Sequence, residues 1–99
     1  MPRDIPMPHP GTILKQEFLE PMGLTATALA KALHVPRGRV NEICRGNRGI
    51  SAAIAPRLGR FFKVDPRWFV NMQGKYDLHV QERALAKELA AIKPREVVA

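Results

Sequence analysis

Residues 25–48 read TATALAKALHVPRGRVNEICRGNR. Thr25 is an N-cap residue type, whose hydroxyl can accept a free backbone N–H one turn into a helix. Leu24 before it and Leu29 within it stand at the positions of a hydrophobic staple. Alanine and leucine dominate Ala26 to Leu33, and both favour helix. Leu29 and Leu33 share a face, with Ala30 beside them small enough for another helix to cross closely. Pro36 has no N–H and disfavours helical geometry at Val35. The first helix should therefore stop at His34-Val35, and a second should begin with the proline in its first turn. Val40 and Ile43 fall on one face of that second helix, and Gly46 suits its C′ position. The two helices then share a core of Leu29, Leu33, Val35, Val40 and Ile43. The outer face, with Arg37, Gly38, Asn41, Glu42 and Arg45, is left free and cationic.

Two helices joined in this way read as a helix-turn-helix, which sets the N-terminal end of its second helix against base edges in the DNA major groove. Arg37 is the candidate for direct readout, because its planar fork matches guanine O6 and N7. Gly38 would let the backbone approach closely, and Asn41 and Glu42 can read adenine and cytosine edges. Glu42 also reads as a structural salt-bridge partner. Arg45, Asn47 and Arg48 stand near the helix end and in the following loop, where they suit the DNA backbone. Arg39 has two readings, a phosphate contact or a brace for Glu42 or another acid. Arg57 and Arg60 are read as solvated first and as DNA-backbone contacts second.

The 99 residues suit one domain with one modest core. The net charge of +7 is uneven: residues 1–75 hold 12 Lys/Arg against 5 Asp/Glu, and residues 76–99 hold 4 of each. The basic excess lies in the part that carries the motif, which favours a polyanionic partner and salt-dependent binding. No run of about 18 apolar residues suggests a membrane span, and no charged segment followed by an apolar one suggests a secretory signal. Cys44 is the single cysteine. It fits a reducing cytoplasm and reads as a small apolar residue on the inner side of the second helix. His9, His34 and His79 are scattered, with no HxxxH or HExxH, and no G-x-S-x-G or P-loop is present. No enzyme activity, metal site or cofactor is expected.

The flanking segments extend the motif into an all-α domain. Residues 1–10, MPRDIPMPHP, contain four prolines and read as an extended arm. A first helix runs from Gly11 to Glu20 with Leu14 and Phe18 inward, and Pro21 with Gly23 ends it. Ser51 can cap a fourth helix to about Phe62, with Ile54, Leu58 and Phe61 inward. Pro56 and Gly59 mean that this helix is either kinked or starts late with the proline in its first turn. Asp65-Pro66 starts a fifth helix. Trp68, Met72 and Tyr76 form its stripe, with Phe69 alongside, and read as core or as a dimer surface. Leu78, Leu85, Leu89 and Ile92 continue an apolar seam with a larger share of interface, until Pro94 stops the helix. The expected organisation is an arm at 1–10, a helix-turn-helix domain at 11–75 with the motif at about 25–45, and a C-terminal helix and tail at 76–99.

Several pieces in order resemble one known family. They are His9-Pro10-Gly11, EFLEPMGL at 17–24, VPRGRVNEI at 35–43, GNRGIS at 46–51, Asn71-Met72-Gln73 and Tyr76-Asp77-Leu78. Across roughly residues 9–80 the chain resembles HigA-type, VapI-like antitoxins of the Xre/Cro/C1 repressor superfamily. The resemblance implies a five-helix, lambda-repressor-like domain with a helical C-terminal extension, working as a homodimer. It implies a palindromic operator in the chain's own promoter and a RelE/HigB-like toxin, an mRNA endonuclease, as protein partner. Trp68, Phe69, Met72, Leu78, Leu85 and Leu89 are the candidates for the dimer or partner interface. A free-standing repressor without a toxin, or an interaction module that has lost DNA binding, are the alternatives. The chain departs from the family pattern at Ala26, where glutamine or serine is common, at His34, where glycine is common, and at Gly38, where asparagine is common. Trp68-Phe69 reverses the common order, and Pro56 and Gly59 replace better helix formers. The operator sequence is expected to differ accordingly.

Overall fold

His9 and Pro10 start the first helix, so the proline-rich stretch is not all arm. The computed structural model describes residues 7–96; the first six residues of the expected arm and the last three of the tail lie outside them. Helix α1 covers residues 10–22, with α-helical turns at Pro10–Ile13 and Glu20–Met22 around a π-helical stretch at Leu14–Leu19. The wider turn brings residues five apart onto one face. Leu14 and Leu19 are therefore the fully inward pair, and Phe18, expected beside Leu14, is only half-buried. Pro21 contributes no N–H immediately after this widened turn. The helix nevertheless runs on to Met22, and Gly23, at φ 65°, makes the stop.

Helix α2 is Ala26–Leu33, with Thr25 Oγ1 accepting from the Ala28 N–H at 3.0 Å as expected. Helix α3 is Arg39–Cys44. It starts three residues later than Pro36 suggested, because the Arg39 N–H bonds the Pro36 carbonyl at 2.9 Å and closes a tight turn first. Helix α4 is Ala55–Phe62. Pro56 sits in its first turn without a kink, after Ser51 has taken the Ile54 N–H on its side chain and the Ala55 N–H on its carbonyl. The late start sets the inward row at Ile54, Leu58 and Phe62. Phe61, expected inward, is exposed.

Helices α1 to α4 end alike. Gly23, His34, Gly46 and Lys63 all take the left-handed conformation. After each, an N–H reaches back five residues: Leu24 to Leu19, Val35 to Ala30, Asn47 to Glu42 and Val64 to Gly59, at 2.9–3.1 Å. Gly59 is needed for packing rather than for a turn, since a Cβ there would lie 2.5 Å from the Val64 carbonyl oxygen and 3.1 Å from Pro66. That close approach joins α4 to helix α5, Pro66–Ala84, capped by Asp65 Oδ1 on the Arg67 N–H at 2.9 Å.

Phe69 of α5 is fully buried with Leu14, Leu29, Ala30, Val40, Ile43 and Leu58 in one core. Trp68 is 43% exposed and leans edge-on against Phe69. The reversed Trp-Phe order therefore puts the phenyl ring in the core and the indole on its rim. Phe69 is withdrawn from any partner surface. Helix α5 passes unbroken through residue 75, so a boundary between 75 and 76 divides one helix. The helix is interrupted at Leu85, which precedes a short helix α6, Ala86–Ala91. Every described residue from Gln81 onward is exposed. The described residues thus form six helices with no strand. None of the helices is long and apolar enough to cross a membrane.

Candidate nucleic-acid interface

Val40 and Ile43 are fully buried, which fixes the inner face of α3. The seat beneath it is built by Gly11. A Cβ at that position would overlap the Ile43 carbonyl oxygen and lie 2.6 Å from the carbonyl carbon. Only glycine lets α1 press its N-terminal turn against the α3 backbone. His9 completes that turn: its Nδ1 accepts the Gly11 N–H at 2.8 Å, and its ring meets Tyr76 edge-on at 4.9 Å. His9 and Pro10 are thus integral to the fold.

The outer residues of α3 and its two flanking turns form one surface. Arg37 and Gly38 lie in the turn before the helix and are exposed, together with Asn41, Glu42, Arg45, Asn47 and Arg48. Arg39 is half-buried. A Cβ at Gly38 would meet nothing within 4 Å, and its φ of −86° suits any residue, so nothing in the chain itself demands glycine there. Glu42 is paired, but with Arg48 and not Arg39: Arg48 Nε donates to Glu42 Oε1 at 3.1 Å. A half-exposed pair of this kind contributes about 0–1 kcal/mol. Its larger consequence is that the Glu42 carboxylate leans toward the loop.

Sequence reasoning missed the long-range bonds of two residues beside this surface. Gln73 is buried, accepts the Ile50 N–H on Oε1 at 2.8 Å, and donates from Nε2 to Asp77 Oδ1 at 2.9 Å. It clamps the loop that follows α3. Gly49 leaves it room, since a Cβ there would fall 2.9 Å from the Gln73 amide. Arg57, read as solvated first and as a DNA-backbone contact second, is exposed and also donates from Nη1 to the Leu33 carbonyl at 2.8 Å. The only hint of Gln73 was its place in the Asn71-Met72-Gln73 piece, and Arg57 had no signal at all.

The titratable groups near the seat have structural roles. Burial lowers the His9 imidazole below its ordinary value, and the Asp77 carboxylate opposes the change. Burial raises the Cys44 thiol, opposed by Lys15, which suits a half-buried, unreactive side chain. Among the described residues no three His, Cys, Asp or Glu converge to hold a metal ion. A pH effect follows from the His9 cap. Its folded-state pKa lies below that of the unfolded chain, about 6.5. Its contribution is therefore complete above that value and is lost as pH falls through the lower folded one. Urea unfolding at pH 7.5 and 5.5 should show a loss at the acid end that shrinks in His9→Ser. An undiminished loss in that variant would place the effect elsewhere.

The helix-turn-helix family matches residues 15–69. Virulence-associated protein I of Dichelobacter nodosus is 54% identical over 80 residues, covering 81% of this chain and 74% of that one. Antitoxin HigA-1 of Vibrio cholerae is 36% identical over 84 residues, covering 85% and 79%. The chain belongs to the HigA-type helix-turn-helix family. Among solved structures, Pseudomonas aeruginosa antitoxin HigA with higBA promoter is 41% identical with a TM-score of 0.88, covering 93% of this chain and all of that one. Among these relatives, one from Vibrio cholerae and one from Pseudomonas aeruginosa are named HigA antitoxins, and one from Escherichia coli is named an HTH-type transcriptional regulator. The matched window begins inside α1 and ends at Phe69. The Gly11 seat and the Gln73 clamp therefore lie outside it, although both position the α3 surface.

Proposed function

We propose that this chain is an antitoxin that binds a palindromic operator in its own promoter as a homodimer, represses it, and neutralises a RelE/HigB-like toxin by direct binding. The observation that carries the DNA reading is a helix with its inner face locked and its outer face and flanking turns holding four arginines. The similar antitoxin HigA solved with its promoter supports it. Arg37, at the leading turn, is assigned to guanine. Gly38 leaves space for close approach, and Asn41 reads adenine. Glu42 is a weaker base reader than its position suggested, because Arg48 holds it. Arg39, Arg45, Asn47 and Arg48 are assigned to the DNA backbone.

Pairing of two copies would match a palindrome with two half-sites. The exposed apolar side chains of α5, of Leu85 at the break and of α6, namely Trp68, Leu78, Leu85 and Leu89, with half-buried Met72, supply the partner surface. Two measurements test the whole reading. Mobility shifts with the chain's own upstream DNA should show salt-dependent retention over a scrambled fragment. Equal affinity for both would sink the operator. Co-expression with the adjoining gene should return a stable complex with a small basic toxin. Without such a gene or complex, the chain is a free-standing repressor.

A further inference from the structure

His34 makes the turn of the helix-turn-helix in a conformation that L side chains seldom adopt, with φ 60° and ψ 45°. The α2 end satisfies part of its backbone internally: the His34 N–H reaches the Lys31 carbonyl and the Val35 N–H the Ala30 carbonyl, at 3.2 and 3.1 Å. The carbonyls of Leu33 and His34 point beyond this network. Arg57 Nη1 stands over both, at 2.8 Å from the first and 3.5 Å from the second. A guanidinium at a helix C-terminus also faces the negative end of the helix dipole.

The backbone at the other end of this contact is anchored, while the Arg57 side chain is exposed. Arg57 lies in the first turn of α4, next to Pro56 and between the fully buried Ala55 and Leu58. A cleft of about 310 Å³ surrounds the contact, lined among others by Leu33, His34, Pro56 and Phe61. Arg37 follows His34 by three residues, and α3 starts at Arg39. Because Val40 and Ile43 lock α3 in the core, a small change of backbone angle at His34 is taken up in residues 35–38 and displaces Arg37.

We infer that Arg57 is a positioning residue for DNA reading: by holding the Leu33 and His34 carbonyls at the left-handed His34, it fixes the turn that presents Arg37 in front of α3. The inference rests on the operator-binding function proposed above. It assigns Arg57 a task distinct from touching DNA, and the two tasks separate by experiment. A phosphate contact contributes to the salt dependence of binding, with a slope of about 0.9 per contact. A turn pin contributes affinity without slope. A turn pin is also made redundant by a residue that takes φ > 0 freely, which a phosphate contact is not.

The test is a set of variants of the full chain against its own promoter DNA across a salt series. Arg57→Ala should lower affinity about tenfold, the size of one charge-assisted hydrogen bond, at unchanged slope. His34→Gly in that background should recover most of the loss. Lys63→Gly, which relieves the other non-glycine left-handed residue, should recover none. In the free protein, the Val35 amide should exchange faster in Arg57→Ala, while the Leu24 amide at the end of α1 stays protected. A slope reduced by about one without recovery would make Arg57 a phosphate contact and overturn the inference. Equal recovery by Lys63→Gly would reduce it to general stability, and an unaltered Val35 amide with unaltered affinity would remove it. If the wild-type chain does not retain its promoter, the operator reading fails, and Val35 exchange alone decides whether Arg57 pins the turn.

Discussion

Gly11→Ala lowers stability by about 3 kcal/mol, the upper range for overpacking a closed core. Helix propensity demands the opposite sign, since alanine exceeds glycine inside a helix by about 0.5–1 kcal/mol. Geometry decides between them. The added methyl would overlap the Ile43 carbonyl oxygen and stand 3.1 Å from the Cys44 Cα, all backbone of α3. No rotamer relieves a clash with backbone, so α1 and α3 must separate and loosen Leu14, Val40 and Ile43. For a domain of this size a loss of about 3 kcal/mol corresponds to a melting temperature lower by roughly 12–24 °C. Gly74→Ala is the control. It lies within α5 with nothing within 4 Å of its missing Cβ, and should gain about 0.5–1 kcal/mol. Thermal and urea unfolding read both, and a Gly11→Ala chain as stable as wild type would show that the close approach is absent.

What could be read from the sequence was local. Thr25, the Leu29–Leu33 pair, Gly46 and Asp65-Pro66 act within a few residues of themselves, and each stands where its type demanded. Pro36 marked a start three residues early, because a closed turn precedes α3, whereas Pro56 stands in the first turn of α4, one of its two readings. The groups that aim the site act over distance. Gln73 reaches 23 residues back to Ile50, and Arg57 reaches 24 back to Leu33. No spacing rule on one helix foretells such partners. Gly11 looked like an ordinary helix start, and its role appears only when the Ile43 carbonyl is brought against it. The π turn in α1 was likewise hidden, because Leu14–Phe18 and Leu14–Leu19 are both plausible apolar pairs until the helix width is known. On the outer face of α3 the exposed residue set was legible because exposure there follows from the burial of Val40 and Ile43. The pairing of Glu42 with Arg48 rather than Arg39 was not legible, since it depends on the path of the loop after Gly46.

The largest functional effect is expected from Arg37→Ala, Arg45→Ala and Arg48→Ala combined, which should weaken promoter binding about a hundredfold or more. Arg37 alone should cost about 1–3 kcal/mol and relax discrimination at one base pair. Arg45 and Arg48 should each remove about 0.9 from the salt slope and act evenly on all sequences. All three side chains are exposed, so the fold should lose no more than about 0.5–1 kcal/mol, including the Glu42 pair. The two phosphate arginines are not equivalent. Removing Arg48 also frees the Glu42 carboxylate, an unpaired negative charge left beside the DNA backbone. Arg48→Ala should therefore cost more affinity than Arg45→Ala, and Glu42→Gln should recover part of the loss in the first background and none in the second. Mobility shifts at several salt concentrations read every part of this. Full affinity in the triple variant would remove α3 from the DNA. Equal losses at Arg45 and Arg48, with no recovery from Glu42→Gln, would leave the groove assignment standing but show that the ion pair breaks when DNA binds.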